Sequence, residues 1–289
     1  MIITNKREKF KNGIEIAYEY FSSIDELVKA NRKRPHLRQF EDHTLSSELR
    51  YDWNGCKTYE EAEDMALNGW NKILEDTEFK GFYNNCGIEI EKMTKPINDV
   101  VGYAPIVPNV LLGIPQTMIN FSKKKVKSKI IHIVYGITVT SGVEMKELTQ
   151  VGLEFMKAVV DLEKQGYRLR LTAMQEYSRQ GDTDILFMKV KDEFKKIDLQ
   201  SSIFNLIHPA VFRAIGFVWK ERSPVCVEMS GYGTTFKNVH DDDKMLIENI
   251  KIILKDKNLI YISARELVNK NREKNITATE IEEMIFKKG

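Results

Sequence analysis

The sequence predicts an open α/β sheet with flanking helices over residues 122–289, preceded by a mainly helical segment over residues 1–121. Ile130 to Val139 is an almost wholly apolar run, as expected of a strand covered on both faces. The helical pattern after it spaces Met145, Leu148, Val151, Phe155, Val159 and Leu162 three or four apart. Strand-like and helix-like stretches then alternate toward the C-terminus, the order that builds an open sheet.

The first segment reads as helices joined by irregular loops. Ser23 with Glu26 forms a capping-box pattern, and Ile24, Leu27 and Val28 give the helix after it one apolar face. Pro35 ends that helix. Trp53-Asn54-Gly55 is a turn signal. Thr58 with Glu61 is a second capping box, ahead of a stripe of Tyr59, Ala62, Met65 and Ala66. Gly69-Trp70 marks a break. Residues 96–118 hold Pro96, Pro105, Pro108 and Pro115, which predicts a loop-rich stretch with a short helix near "NVLLG".

The compact positive run "SKKKVKSK" sets the boundary at residue 122. Beyond the first strand, Ser141 with Glu144 is a third capping-box pattern, and Gly166 stops the long helix. "YRLRLTA" alternates like a half-exposed strand, and "DILFMKVK" is a further strand across a turn. Pro209 suits the first position of a helix. Phe212, Ile215, Val218 and Trp219 form its apolar stripe, with Arg213, Lys220, Glu221 and Arg222 mostly outside it. "SPVCVEM" reads as a strand, "DDDKMLIENIKIILKD" as a helix with acids in its first turn, and "NLIYIS" as a strand. "ARELVNKN" and "TATEIEEMIFKK" close the chain as helices.

Composition narrows the function. Of 289 residues, 42% are hydrophobic and 30% charged, which suits a globular protein with a sizeable core. The net charge of +2 demands neither nucleic acid nor membrane. Cys56, Cys86 and Cys226 are far apart and form no C-x-x-C, so free thiols in a reducing compartment are expected. The N-terminus turns polar after three residues, and no stretch approaches the ~18 uninterrupted apolar residues of a membrane span. A cytoplasmic location is expected.

Candidate sites are few. The strand-to-helix junction "YGITVTSG" lacks the glycine pattern of a phosphate cradle, so nucleotide binding is not expected. His208 reads as a hydrogen-bonded histidine at a helix start, and His132 as a core histidine. "HDDD" at 240–243 reads as a helix N-terminus, and Cys226 as a buried thiol. Arg32, Lys33, Arg34 and Arg38 form a local cationic patch, and Lys123, Lys124 and Lys125 a second. Both suit solvated surface or phosphate contact. Trp53 and Trp70 suit either core anchors or an aromatic surface for a partner. No catalytic constellation or cofactor fingerprint stands out.

Strand, hydroxyl-rich turn, long helix ending "LEKQGY", strand, turn and strand resembles the von Willebrand factor A fold. The likeness is to its cobalt- and magnesium-chelatase-type A domains. That family binds a divalent ion, of the magnesium or manganese kind, with an Asp-x-Ser-x-Ser motif after its first strand. The motif falls here on Gly136-Ile137-Thr138-Val139-Thr140. Both hydroxyls survive, as Thr138 and Thr140, but Gly136 replaces the carboxylate. The resemblance therefore implies a degenerate metal site, with no metal or other cofactor expected. Chelatase-type A domains work beside AAA+ ATPases, which implies a protein partner of that kind. More diffusely, "WNG", "TYEEAEDMALNGW", "ITVTSGVEMKELTQVG" and "HPAVFRAIGFVWKER" resemble an uncharacterised family encoded by bacteriophages. The expected function is a non-enzymatic interaction protein acting in the host cytoplasm. The alternatives are an accessory nucleic-acid-binding protein and a virion structural component.

Overall fold

A computed structural model describes residues 6–10, 15–36, 44, 48–71, 73, 95–122, 129–179, 182–226 and 242–289. The chain divides into two compact units. One comprises residues 1–86 and 130–289, the other residues 87–129. This differs from the expected division at residue 122, because N-terminal residues supply strands to the main sheet.

That sheet has six strands in the order β1-β2-β8-β7-β6-β9. They are β1 (Lys6–Lys9), β2 (Glu15–Phe21), β6 (Ile130–Gly136), β7 (Arg168–Arg179), β8 (Asp182–Lys191) and β9 (Ile260–Ser263). β2 lies parallel to β8, β8 antiparallel to β7, and β6 parallel to both β7 and β9. The helical expectation for the N-terminal segment thus misses β1 and β2. β2 carries Glu19 in a strand otherwise fit for a core, and Glu19 is buried. Its carboxylate accepts hydrogen bonds from the Trp219 indole at 2.7 Å and the Ser223 hydroxyl at 3.0 Å, and pairs with Arg34. A buried carboxylate is tolerated only with such partners.

The helices of the main unit follow the capping chemistry closely. Ser23 and Thr58 cap α1 (Ile24–Lys33) and α3 (Tyr59–Asn68), accepting from the N–H groups of Glu26 and Glu61. Trp53-Asn54 belongs to a one-turn helix, α2 (Tyr51–Asn54), closed by Gly55 at φ 74°. The long helix α5 (Met145–Lys164) ends with Gly166 at φ 94°, as expected. Its N-cap is Glu144, not Ser141, and Glu147 accepts from the Glu144 N–H at 3.1 Å. Next come α6 (Leu199–Ile207), a π-helical turn (Val211–Ile215), α7 (Gly216–Arg222), α8 (Asp242–Ile253), α9 (Ala264–Glu273) and α10 (Ala278–Lys288). Residues 224 and 225 form a turn at the start of the expected strand "SPVCVEM", of which residues 227–229 lie outside the described residues.

Strand alternation sorts the core into two layers. Ile16, Tyr18, Val134, Met174, Ile185, Phe187 and Tyr261 pack against Leu246, Ile250 and Ile253 of α8. The opposite face carries the larger core, where Ile133, Tyr135, Leu171 and Ala173 meet helices α1, α3, α5, α6, α7, α9 and α10. Tyr135 stacks on Phe155 with ring centres 4.2 Å apart, fixing α5 over β6. The fully buried Phe155 contributes on the order of 3 kcal/mol or more through burial and packing.

The second unit is a three-stranded antiparallel sheet in the order β3-β5-β4, with β3 (Lys95–Asp99), β4 (Ala104–Pro105) and β5 (Met118–Ser122). The short helix α4 (Val107–Leu111) stands at the place expected from "NVLLG".

Candidate functional site

From β6 the chain crosses to β7 on one side, while β9 pairs on the other. The four strands run β8-β7-β6-β9, and the divergence falls between β6 and β9. In open α/β sheets the crevice at the carboxyl ends of such strands is where ligands bind. Here it is bordered by the loop from Ile137 to Glu144 and by the start of α9.

Within the resembled metal motif, Gly136 is closed to a larger side chain and the Thr138 hydroxyl is already engaged. Gly136 sits opposite Ser263, and a methyl group added to it would run into the Tyr261 hydroxyl. A carboxylate has no room there. The Thr138 hydroxyl is buried and accepts from the Glu176 N–H at 3.0 Å. Ile137 extends the pairing beyond β6, donating to the Met174 carbonyl at 2.8 Å. Thr140 contributes its carbonyl, 3.4 Å from Arg213 Nη2.

Arg213 organises the loop. Its side chain is 1% exposed. Nη2 donates to the Val143 carbonyl at 2.7 Å, and Nη1 to the Trp53 carbonyl at 2.6 Å. The guanidinium lies 4.3 Å from the centre of the Trp53 ring, in cation–π contact. Trp53 in turn donates from Nε1 to the Ser141 carbonyl at 3.0 Å. Burial pushes the Arg213 pKa down to about 10, which leaves it charged at neutral pH. A buried cation, held by backbone carbonyls, thus occupies the loop. A fixed positive charge that already takes these carbonyl oxygens disfavours a divalent ion beside it. Among the described residues no group of three or more His, Cys, Asp or Glu side chains is arranged to hold a metal.

Beside the loop runs a groove. One part, of about 480 Å³, is lined by Arg50, Asp52, Trp53, Ser141, Gly142 and Glu144. A larger part, of about 920 Å³, shares Asp52 and Glu144 and adds Trp70, Met145, Leu153 and Ile276. Trp53 is half-buried on this groove, whereas Trp70 is mostly a core anchor, edge-on to His208 with centres 4.4 Å apart.

The other candidates fall elsewhere. Arg32 pairs with Glu63, its Nε 2.8 Å from the carboxylate, and Arg34 pairs with Glu19. Lys33 is exposed. Arg38, Lys123, Lys124 and Lys125 lie outside the described residues, as do His240 and Asp241 of "HDDD". His208 is buried, and its Nδ1 accepts from the Ala210 N–H at 3.2 Å. His132 is a core histidine between Asp256 at 2.9 Å and Thr172 at 3.0 Å. Cys226 is buried, and burial raises its thiol pKa well above the usual range, as expected for an inert thiol.

Sequence reasoning missed Arg213, Lys220 and Glu221. All three are buried, not on a solvated face. Lys220 pairs with Asp184, and Glu221 accepts from the Thr44 hydroxyl at 2.6 Å. The π turn explains the miss, because it inserts a residue and rotates the following face away from the 3.6 period. The signal was a helix in which Arg213 stands beside Phe212 and Lys220 and Glu221 follow Trp219 directly, leaving no wholly polar side.

A family model described as "Domain of unknown function (DUF7192)" matches residues 5–281. The chain belongs to this family. No curated protein and no solved structure matches it. The DUF7192 match spans both compact units, so the Arg213 clamp and the smaller sheet lie within one family-defined stretch.

Proposed function

We propose that this DUF7192 protein is a non-enzymatic, phage-encoded interaction protein that binds a protein partner without a metal ion. The observation that carries this reading is the Arg213 guanidinium clamped on the Trp53, Thr140 and Val143 carbonyls. A built-in cation holds the loop that an ion holds in a metal-dependent A domain. The A-domain-like reading is supported by the strand order β8-β7-β6-β9, which matches the 3-2-1-4 start of doubly wound sheets. The hairpin from β7 to β8 makes its third strand antiparallel. The groove beside Trp53 and Met145 offers the partner an apolar floor with acidic residues at Asp52, Glu144 and Glu154. The chelatase-type resemblance points to an AAA+ ATPase as that partner.

The test is affinity purification of the full chain from producing cells, with and without EDTA, followed by mass spectrometry and reconstitution with the purified partner. The reading expects one stoichiometric protein partner, retained in EDTA and lost with Met145→Asp. Recovery of nucleic acid or of a capsid protein instead, or loss of the complex in EDTA, contradicts it.

A further inference from the structure

The smaller unit exposes an unusual amount of apolar surface. Eight of the fifteen large hydrophobic side chains exposed among the described residues fall within residues 100–114. Tyr103 is 86% exposed, Leu111 81%, Val101 75% and Leu112 74%. The other four are Val100, Val107, Val110 and Ile114. The chain is 30% charged, yet no charged residue occurs between Asp99 and Lys123. Apolar exposure concentrated in one short stretch in this way marks an interaction surface.

The tip is preorganised and its backbone is largely satisfied from within. Tyr103 and Ile106 donate from their backbone N–H groups to the carbonyls of Ile119 and Thr117, both at 2.7 Å. The Ile114 N–H donates to the Asn109 carbonyl at 3.0 Å, and the Asn109 side-chain amide to the Gln116 carbonyl at 2.8 Å. These internal bonds lower the cost of taking the tip's backbone out of water.

Its composition separates a lipid from a protein occupant. Protein hot spots are built from Trp, Tyr and Arg, with Leu and Val under-represented. Here valine, leucine and isoleucine supply seven of the eight exposed side chains, and arginine none. Val, Leu and Ile favour the acyl region, and a tyrosine suits the headgroup boundary. The sequence after β5 places lysines at 123, 124, 125, 127 and 129, a charge run complementary to anionic headgroups. Of these, Lys129 is described and is exposed. No single described helix is long and apolar enough to cross a membrane.

We propose that the tip at residues 100–114 inserts peripherally into an anionic membrane surface. Apolar insertion and electrostatic attraction together give the two signals that stable surface anchoring requires. The experiment is flotation of the full chain with vesicles of phosphatidylcholine alone and of phosphatidylcholine with phosphatidylserine. Light scattering of the free protein runs alongside. The chain is expected to float with the phosphatidylserine vesicles and to lose binding as salt is raised. The double variant Leu111→Asp/Leu112→Asp is expected to bind about tenfold more weakly or worse, with unchanged circular dichroism and Tm because both side chains are exposed. Leu111→Ile/Leu112→Ile is expected to restore binding. No flotation with either vesicle, or equal flotation of wild type and the Asp variant, overturns the proposal. So does self-association of the free chain that the Asp variant removes, since the tip would then be covered by a second copy.

Discussion

Arg213 and Trp53 grip one loop from two directions. The guanidinium lies 4.3 Å from the Trp53 ring centre and donates to the Trp53 carbonyl at 2.6 Å. Its second terminal nitrogen holds the Val143 carbonyl, while the Trp53 indole holds the Ser141 carbonyl at 3.0 Å. The loop that joins β6 to α5 is therefore anchored by residues from α2 and from the π turn.

Removing that anchor is predicted to be costly. Arg213→Met deletes charged hydrogen bonds worth ~1.5–3 kcal/mol each and leaves buried carbonyls unpaired. A loss of about 3 kcal/mol or more is expected in urea denaturation. Arg213→Lys keeps the charge but not the planar fork, and is expected to lose less.

Adding a carboxylate at position 136 is predicted not to create a metal site. Gly136→Asp drives a side chain into the Tyr261 hydroxyl, within a sheet whose neighbouring strand is buried. Overpacking of this sort costs roughly 1–3 kcal/mol. The variant is expected to melt lower than wild type and to gain nothing from added magnesium.

His132 should govern part of the pH profile. Desolvation by burial lowers its pKa from 6.5, opposed by Asp256; Arg170 lowers it further and Glu193 opposes. The folded state then binds fewer protons than the unfolded chain. Stability is present above the unfolded pKa and is lost as pH falls through it toward the folded value. His132→Gln is expected to flatten this stretch of the Tm-against-pH curve. An unchanged curve contradicts the assignment.

Glu193 should govern the acid limb. The Arg170 guanidinium, 2.8 Å away at Nε, holds the Glu193 carboxyl down to about 2. Its contribution is full above the unfolded value of 4.5 and fades as pH falls toward 2. Glu193→Gln is expected to lower Tm at neutral pH and to narrow its gap from wild type near the acid end.

Much of the C-terminal architecture was legible because local rules decided it. The apolar run of β6, the periodicity of α5 and the positive-φ Gly166 each need only neighbouring residues. β2 was not legible, since Glu19 makes sense only beside Trp219 and Ser223, some 200 residues away. The sequence places the start of α5 three residues early because Ser141 offers a hydroxyl, whereas Glu144 is the N-cap. At the site, the hydroxyl pattern of Thr138 and Thr140 was visible. Its use was hidden, because the Thr138 partner lies on β7 and the loop's cation comes from a π turn that no periodicity anticipates.

The most direct test of the central claim is thermal unfolding of the full chain in EDTA and in millimolar magnesium or manganese. A ligand that binds the folded state raises Tm by mass action. With Arg213 holding the loop, the same Tm is predicted in all three conditions. A saturable rise with either ion, abolished by Thr138→Val, would show that the junction after β6 still takes a metal and would contradict the account.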